Sequence, residues 1–343
     1  DCIADNHYGV MAQLAHERGL VVHPESGGPH GGPFEALKDL GRNDYPMSEF
    51  WVPSPHRPTE EARFFVKQAA CAAHIYGQKI VSAEGFTSIG PQWNDTLWSA
   101  QKPSFDHEAC AGLNLVYWHA FTCSPPEMGL PGQEYFAGTH FNPQITWAKQ
   151  AGAFVAYLDR SQYLLQQGLA VADVLYYYGD HVPNFVRLKK DDPAQVLPGY
   201  DYDVCNEEVL TKRLSVSRDG RLVLPDGMSY RLLVLPDLPT MSLEAARAVR
   251  KLVDAGALVV GPRPKHLTGL PATTQEQGEF ERLTESLWGR SEPNANAKPP
   301  RHVRTDLPPR KLLEAEKIAP DFAFRGADAG TIDYFHRSAD GAD

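Results

Sequence analysis

Positive charge is scarce in this sequence. Its 33 Lys and Arg stand against 43 Asp and Glu, a formal net charge of −10, so the excess cations that hold a phosphate backbone are missing and nucleic acid is not expected as a partner. Long apolar runs are missing too. Nothing approaches the roughly 18 consecutive apolar residues of a membrane span, so no membrane span is expected. Cysteine is sparse: five residues, at 2, 71, 110, 123 and 205, an odd number with no C-x-x-C spacing, which suggests neither a zinc knuckle nor a dense disulfide framework. His7, His16, His23 and His30 crowd the start, yet their spacings match no zinc signature and H-E-x-x-H does not occur. A G-x-S-x-G elbow is lacking, since Ser82-Ala83-Glu84-Gly85 places Glu where a serine hydrolase needs its nucleophile. The second half lacks both the phosphate-cradling G-x-G-x-x-G and the P-loop.

The ends lack something as well. The first residue is Asp1 rather than Met, and Ile332 to Asp343 reads as a strand and a turn cut before the returning strand, so the chain is expected to be a piece of something longer. A missing leader then says nothing about location.

What is present is ample apolar material. With 42% hydrophobic and 10% aromatic residues over 343 positions, two or three domains are expected. Helix-like and strand-like segments alternate through the first half. Tyr8, Met11, Leu14 and Ala15 mark an amphipathic helix that Gly19 can close, and the run Leu20-Val21-Val22 predicts a strand ending in the polar loop His23 to Gly28. Three further strands are expected at Tyr45 to Val52, Lys79 to Phe86 and Leu113 to His119. Between them lie a helix that Thr59 can cap and Gly77 close, and a short helix that Ser104 can cap. Strands separated by helices imply parallel β/α units, of which only four are present where a closed barrel needs eight. A Pro- and Gly-rich loop from Ser124 runs on to Phe141, after which Asn142 and Pro143 are expected to open a long helix closed by Gly168.

From residue 169 the pattern restarts as a small doubly wound α/β domain. Strands are expected at Val171 to Tyr178, Arg221 to Leu224, Arg231 to Leu235 and Ala257 to Val260, with helices at Glu207 to Leu214 and Ser242 to Ala255. Residues 289 to 310 are rich in Pro, Asn, Arg and Ala and read as a linker or surface loop. The expected boundaries are therefore 1–168, 169–288 and a 289–343 segment of linker and truncated β-rich chain.

The residues that can carry chemistry gather in the first half. Glu25, Glu49 and Glu84 each fall at or just after the C-terminal end of an expected parallel strand, with Phe50, Trp51 and Phe86 as aromatic neighbours. Carboxyl groups at the mouth of a sheet, walled by aromatics, are what glycosidic bond cleavage asks for: one acid to protonate the leaving oxygen, one carboxylate to activate water or attack, and flat faces for a sugar ring. Five of the six tryptophans lie before residue 150, and Trp51 and Trp93 are the best placed as stacking platforms. His119 and His140, with Thr139 and Asn142 beside the latter, read as hydrogen-bond donors to sugar hydroxyls or equally as loop-ordering residues. Clustered carboxylates can also hold a hard cation such as Ca²⁺.

The segments His23-Pro24-Glu25-Ser26-Gly27-Gly28, Ser82-Ala83-Glu84-Gly85-Phe86, Gly138-Thr139-His140-Phe141-Asn142 and Gln162 to Gly168, followed by Val171-Ala172-Asp173-Val174-Leu175-Tyr176, together resemble glycoside hydrolase family 106, the α-L-rhamnosidases. The resemblance runs over nearly the whole chain. It implies a partial (β/α)8 TIM barrel, about its last four β/α units, then a flavodoxin- or amidotransferase-like α/β domain without amidotransferase chemistry, then the start of a β-rich module. It further implies a bacterial, inverting enzyme acting on terminal α-L-rhamnosides of polysaccharides or glycosides, with two glutamates and calcium at the sugar site, in the periplasm or secreted. On that resemblance Glu84 matches the general base, the acid lies upstream of this chain, and Glu25 and Glu49 become sugar- or metal-binding carboxylates or a substitute acid. A β-galactosidase-like hydrolase and a carbohydrate-binding protein without catalysis are the alternatives.

Overall fold

The structure, a computed structural model, describes residues 1–27, 32–52, 66–88, 97–133, 135–138, 141–269, 272–289, 303–326, 332–339 and 341–342. Two parallel sheets organise them, as the alternation of short apolar runs with amphipathic segments predicts.

The first sheet has three strands, β1 (Met47–Trp51), β2 (Ser82–Thr87) and β3 (Leu115–Trp118), in that order and all parallel. Each crossover carries a helix, Val66–Tyr76 before β2 and Lys102–Cys110 before β3, and Gly152–Leu165 follows. Phe50, Ala83, Phe86, Phe105, Leu113, Phe154 and Leu158 form the core beneath it. Gly77 closes its helix with φ +82°, a conformation glycine adopts without a Cβ penalty.

Three local expectations fail for visible reasons. Leu20-Val21-Val22 is not a strand: Leu20 and Val21 stay exposed, and the Val22 N–H is taken by the Asp44 carboxylate rather than by a neighbouring strand. Ser104 caps nothing, because the turns of Leu97–Gln101 already run into the helix and its hydroxyl bonds back to the Ala100 carbonyl. Asn142 does not start the long helix, which begins at Gly152; its Oδ1 accepts the Gln144 N–H in a local Asx turn.

The second sheet runs Val303–Arg304, Val259–Val260, Leu232–Val234, Val174–Tyr177, Tyr202–Cys205, all parallel. Helices Leu243–Asp254 and Thr274–Trp288 flank it, each opened by a hydroxyl cap, Ser242 on the Ala245 N–H and Thr273 in a capping box with Glu276. Val303–Arg304, expected in a linker, is this sheet's edge strand, and the helix Pro309–Ala315 buries Leu312 and Leu313 in the same core. The tail returns as well, Arg337–Ser338 pairing antiparallel with Leu169–Ala170.

The helix Val66–Tyr76 is shared between the two sheets. Cys71 and Ile75 belong to the second sheet's core, together with Leu37 and Leu40. Its polar side chains meet that sheet as well: Lys67 Nζ lies 3.0 Å from Asp201 Oδ1, and His74 Nδ1 lies 2.9 Å from Asp203 Oδ1. Tyr230 donates its hydroxyl to Asp203 at 3.0 Å, and the Val204 N–H reaches Cys71 Sγ at 3.3 Å. Burial alone would raise the Asp203 carboxyl, but His74, Lys67 and Tyr230 together hold it below its ordinary range.

Candidate active site

The site begins with strand register. Glu49 on β1, Glu84 on β2 and Tyr117 on β3 are direct partners, and paired residues of a parallel sheet point to one face. Two carboxylates are thereby set side by side on one face, each third in its strand rather than at the C-terminal end that the sequence predicts. Glu25 joins them from the segment after Val22, so that one oxygen from each of Glu25, Glu49 and Glu84 lies within 4.8 Å of the others. His23, two residues before Glu25, stacks flat on Tyr117 with ring centroids 4.9 Å apart and 3° between planes, which ties that segment to β3.

Three carboxylates this close repel one another, and the surroundings answer each differently. Glu49 Oε1 accepts the Trp51 indole N–H at 2.7 Å. Glu84 Oε1 lies 2.7 Å from His119 Nδ1 and accepts the Thr87 hydroxyl at 2.5 Å. Glu25 Oε1 is shut off from solvent and meets no donor among the described residues. Burial first, then the charges of Glu49 and Glu84, push the Glu25 carboxyl up to about 7 against the opposing pull of His119. His119 is raised, chiefly by its hydrogen bond to Glu84 and against the effect of burial.

A break in the ladder completes the geometry. Glu49 pairs with Glu84 but Trp51 pairs with Thr87, so β2 carries one extra residue. Phe86 absorbs it at φ +63°, a left-handed conformation that a bulky residue rarely adopts, and its ring is fully buried against Phe50 and Trp118. Gly85 has no room for a side chain: a Cβ there would stand 2.4 Å from Val116 Cγ1.

The oxygen separations suit a hard cation. Oxygen ligands lie about 2.3–2.6 Å from Ca²⁺, so oxygens up to ~5 Å apart can share one ion. The same separations are shorter than the roughly 6.5–9.5 Å gap between the two carboxyls of an inverting glycosidase, which must hold a water.

A family profile described as alpha-L-rhamnosidase matches residues 1–343, the full chain. The chain belongs to glycoside hydrolase family 106. This family 106 chain is 32% identical over 345 residues to a protein of Formosa agariphila named "Putative beta-glucuronidase", covering 100% of the chain and 27% of that protein. It also superposes on the structure of a rhamnosidase from Novosphingobium sp. PP1Y with a TM-score of 0.80 at 32% identity, covering 98% of the chain and 32% of that structure. The chain thus spans about a quarter to a third of the length of these relatives.

Within the family 106 chain, the expected site residues divide. Glu25, Glu49, Glu84 and His119 come together. Trp51 also reaches the cluster, but by its indole N–H; at 8% exposure it presents no open face for a sugar ring. Asn142 is buried and used locally, its amide donating to the Pro131 carbonyl and its oxygen accepting from Gln144. Trp93, Thr139 and His140 lie outside the described residues. Sequence reasoning missed Thr87 and the His23–Tyr117 stack. Thr87 stands three residues after Glu84, a spacing that puts it on the opposite face of a regular strand, so only the bulge makes it a neighbour.

Proposed function

We propose that this chain carries part of a glycosidase active site that hydrolyses terminal α-L-rhamnosides, with Glu84 as the group that deprotonates the attacking water. The observation that carries this reading is the placing of the Glu84 carboxylate, gripped by His119 and Thr87 on β2 beside Glu49 and Glu25. In the proposed step Glu84 takes one proton from a water whose oxygen bonds to the anomeric carbon, while the bond to the leaving oxygen breaks and an acid protonates that oxygen. Inverting chemistry asks for a wider gap than Glu25 and Glu49 keep from Glu84, so a carboxyl outside the described residues would serve as that acid. We read the three-stranded sheet as part of a β/α barrel, in which strand C-terminal ends bear the catalytic groups.

Glu25 and Glu49 are assigned to ligand holding. A calcium ion between them would supply electrostatic attraction for sugar hydroxyls, and Glu25 Oε1, which meets no donor among the described residues, is the oxygen best suited to it. The tight cluster also favours a second reading, in which the carboxylates only bind a sugar or ion.

Hydrolysis of aryl α-L-rhamnoside, β-glucuronide and β-galactoside by the full-length protein tests the assignment. Turnover of the rhamnoside well above the other two is expected. Preference for the glucuronide would move the substrate towards the name of the Formosa relative, and rhamnose binding without turnover of any substrate would favour the binding reading.

A further inference from the structure

Thr87 is 1% exposed, and its hydroxyl reaches two members of the site at once. Oγ1 donates to Glu84 Oε1 at 2.5 Å and lies 3.0 Å from His119 Nδ1, whose single proton, when present, is shared between Oγ1 and Glu84 Oε1 at 2.7 Å. One hydroxyl therefore orders both the carboxylate and the ring that contacts it.

That placement is built into the backbone. On a regular strand Glu84 and Phe86 would share a face and Thr87 would point away. The extra residue at 85–86 reverses the parity, sending Phe86 into the core against Phe50, Trp118 and Phe154 and returning Thr87 to the face of Glu84. Each neighbour is fitted to the distortion: Gly85 by the closeness of Val116 and the Phe50 ring, Phe86 by its positive φ, and Thr87 through its carbonyl, which accepts the Val52 N–H at 2.8 Å. Bulges beside active sites re-aim side chains in this way, and strained backbone persists where surrounding packing over-determines it.

We propose that Thr87 is a positioning residue for Glu84, its hydroxyl holding the carboxylate in the orientation that receives the proton of the attacking water. The proposal rests on reading Glu84 as the base.

Two substitutions separate the hydroxyl from the methyl. Thr87→Val keeps the shape and loses the hydrogen bonds; Thr87→Ser keeps the hydroxyl and loses the methyl. For the full-length protein on an aryl α-L-rhamnoside, Thr87→Val is expected to lower kcat about tenfold to a hundredfold with KM within about threefold, and Thr87→Ser to stay within about threefold of the parent in both. A residue that only fills space gives the reverse order, valine like the parent and serine impaired, and that result overturns the proposal. If Thr87→Val does not fold, Thr87→Ala replaces it: serine at least about tenfold faster than alanine at equal melting temperature is expected, and equal rates overturn it. Glu84→Gln run alongside keeps the two ideas apart. A dead Glu84→Gln with a fully active Thr87→Val removes only the role of Thr87, whereas an active Glu84→Gln removes the base reading and the proposal with it.

Discussion

Lys67 Nζ lies 3.0 Å from Asp201 Oδ1, with both side chains 3% exposed, at the contact between the helix Val66–Tyr76 and the strand Tyr202–Cys205. The ammonium also lies 4.7 Å from the centre of the Tyr202 ring. A pair this deep has given up its hydration and depends on its partner. Removing one member leaves a buried charge uncompensated, so Lys67→Met is expected to destabilise the protein by about 3–5 kcal/mol. Pairing it with Asp201→Leu should restore most of that loss, and denaturant titration of the three variants measures the difference.

Glu35 offers a pH test away from the carboxylate cluster. Its Oε2 accepts from the Lys38 N–H and from Asn206, while Oε1 is shut off from solvent and meets no donor among the described residues. Burial, opposed by the Asn206 and Lys38 hydrogen bonds, pushes the carboxyl up to about 7 from an ordinary 4.5. A pKa raised by folding contributes stability that is fully present below the unfolded value and is lost as pH rises through the folded one. Glu35→Gln should therefore gain on the parent between about pH 4.5 and 7, by on the order of 3 kcal/mol over that window. A stability difference independent of pH would contradict the assignment.

The cluster of Glu25, Glu49 and Glu84 should answer to calcium without any substrate. An ion that binds only the folded state raises stability by about 2.7 kcal/mol at a hundred times its Kd. Melting in CaCl₂ against EDTA is expected to show the gain in the parent and to lose most of it in Glu25→Gln. An unchanged gain in that variant would take Glu25 out of the proposed cation site.

Gly85 tests the fit of the bulge. A Cβ at 2.4 Å from Val116 Cγ1 and 2.8 Å from the Phe50 ring cannot be accommodated without movement. Gly85→Ala should cost about 1–3 kcal/mol in thermal or denaturant unfolding.

The sequence made the sheets legible where apolar runs were bracketed by turn residues: Leu232–Val234, Val259–Val260 and the Ser242-capped helix fall where periodicity puts them. Glu49 and Glu84 were legible as strand residues for the same reason, although each lies third in its strand and not at its end. Thr87 was not, because a bulge reverses side-chain parity and nothing in Gly85-Phe86-Thr87 announces one in advance. Leu20-Val21-Val22 misled in the opposite sense: it has the composition of a strand, but pairing depends on a neighbour, and Asp44 occupies the Val22 N–H instead. Val303–Arg304 is too short to rise above the Pro- and Asn-rich segment before it, and its strand identity comes from docking on Val259–Val260.

Proton transfer by Glu84 is tested by kcat/KM of Glu84→Gln on an aryl α-L-rhamnoside in the full-length protein, with folding checked by melting temperature. Glutamine keeps the size and the hydrogen-bond acceptor for Thr87 and His119 but cannot take up the proton. A loss of about 10²–10⁴-fold in turnover with an unchanged melt is predicted. Turnover within a few-fold of the parent would rule out Glu84 as the base and leave it as a ligand-binding carboxylate only.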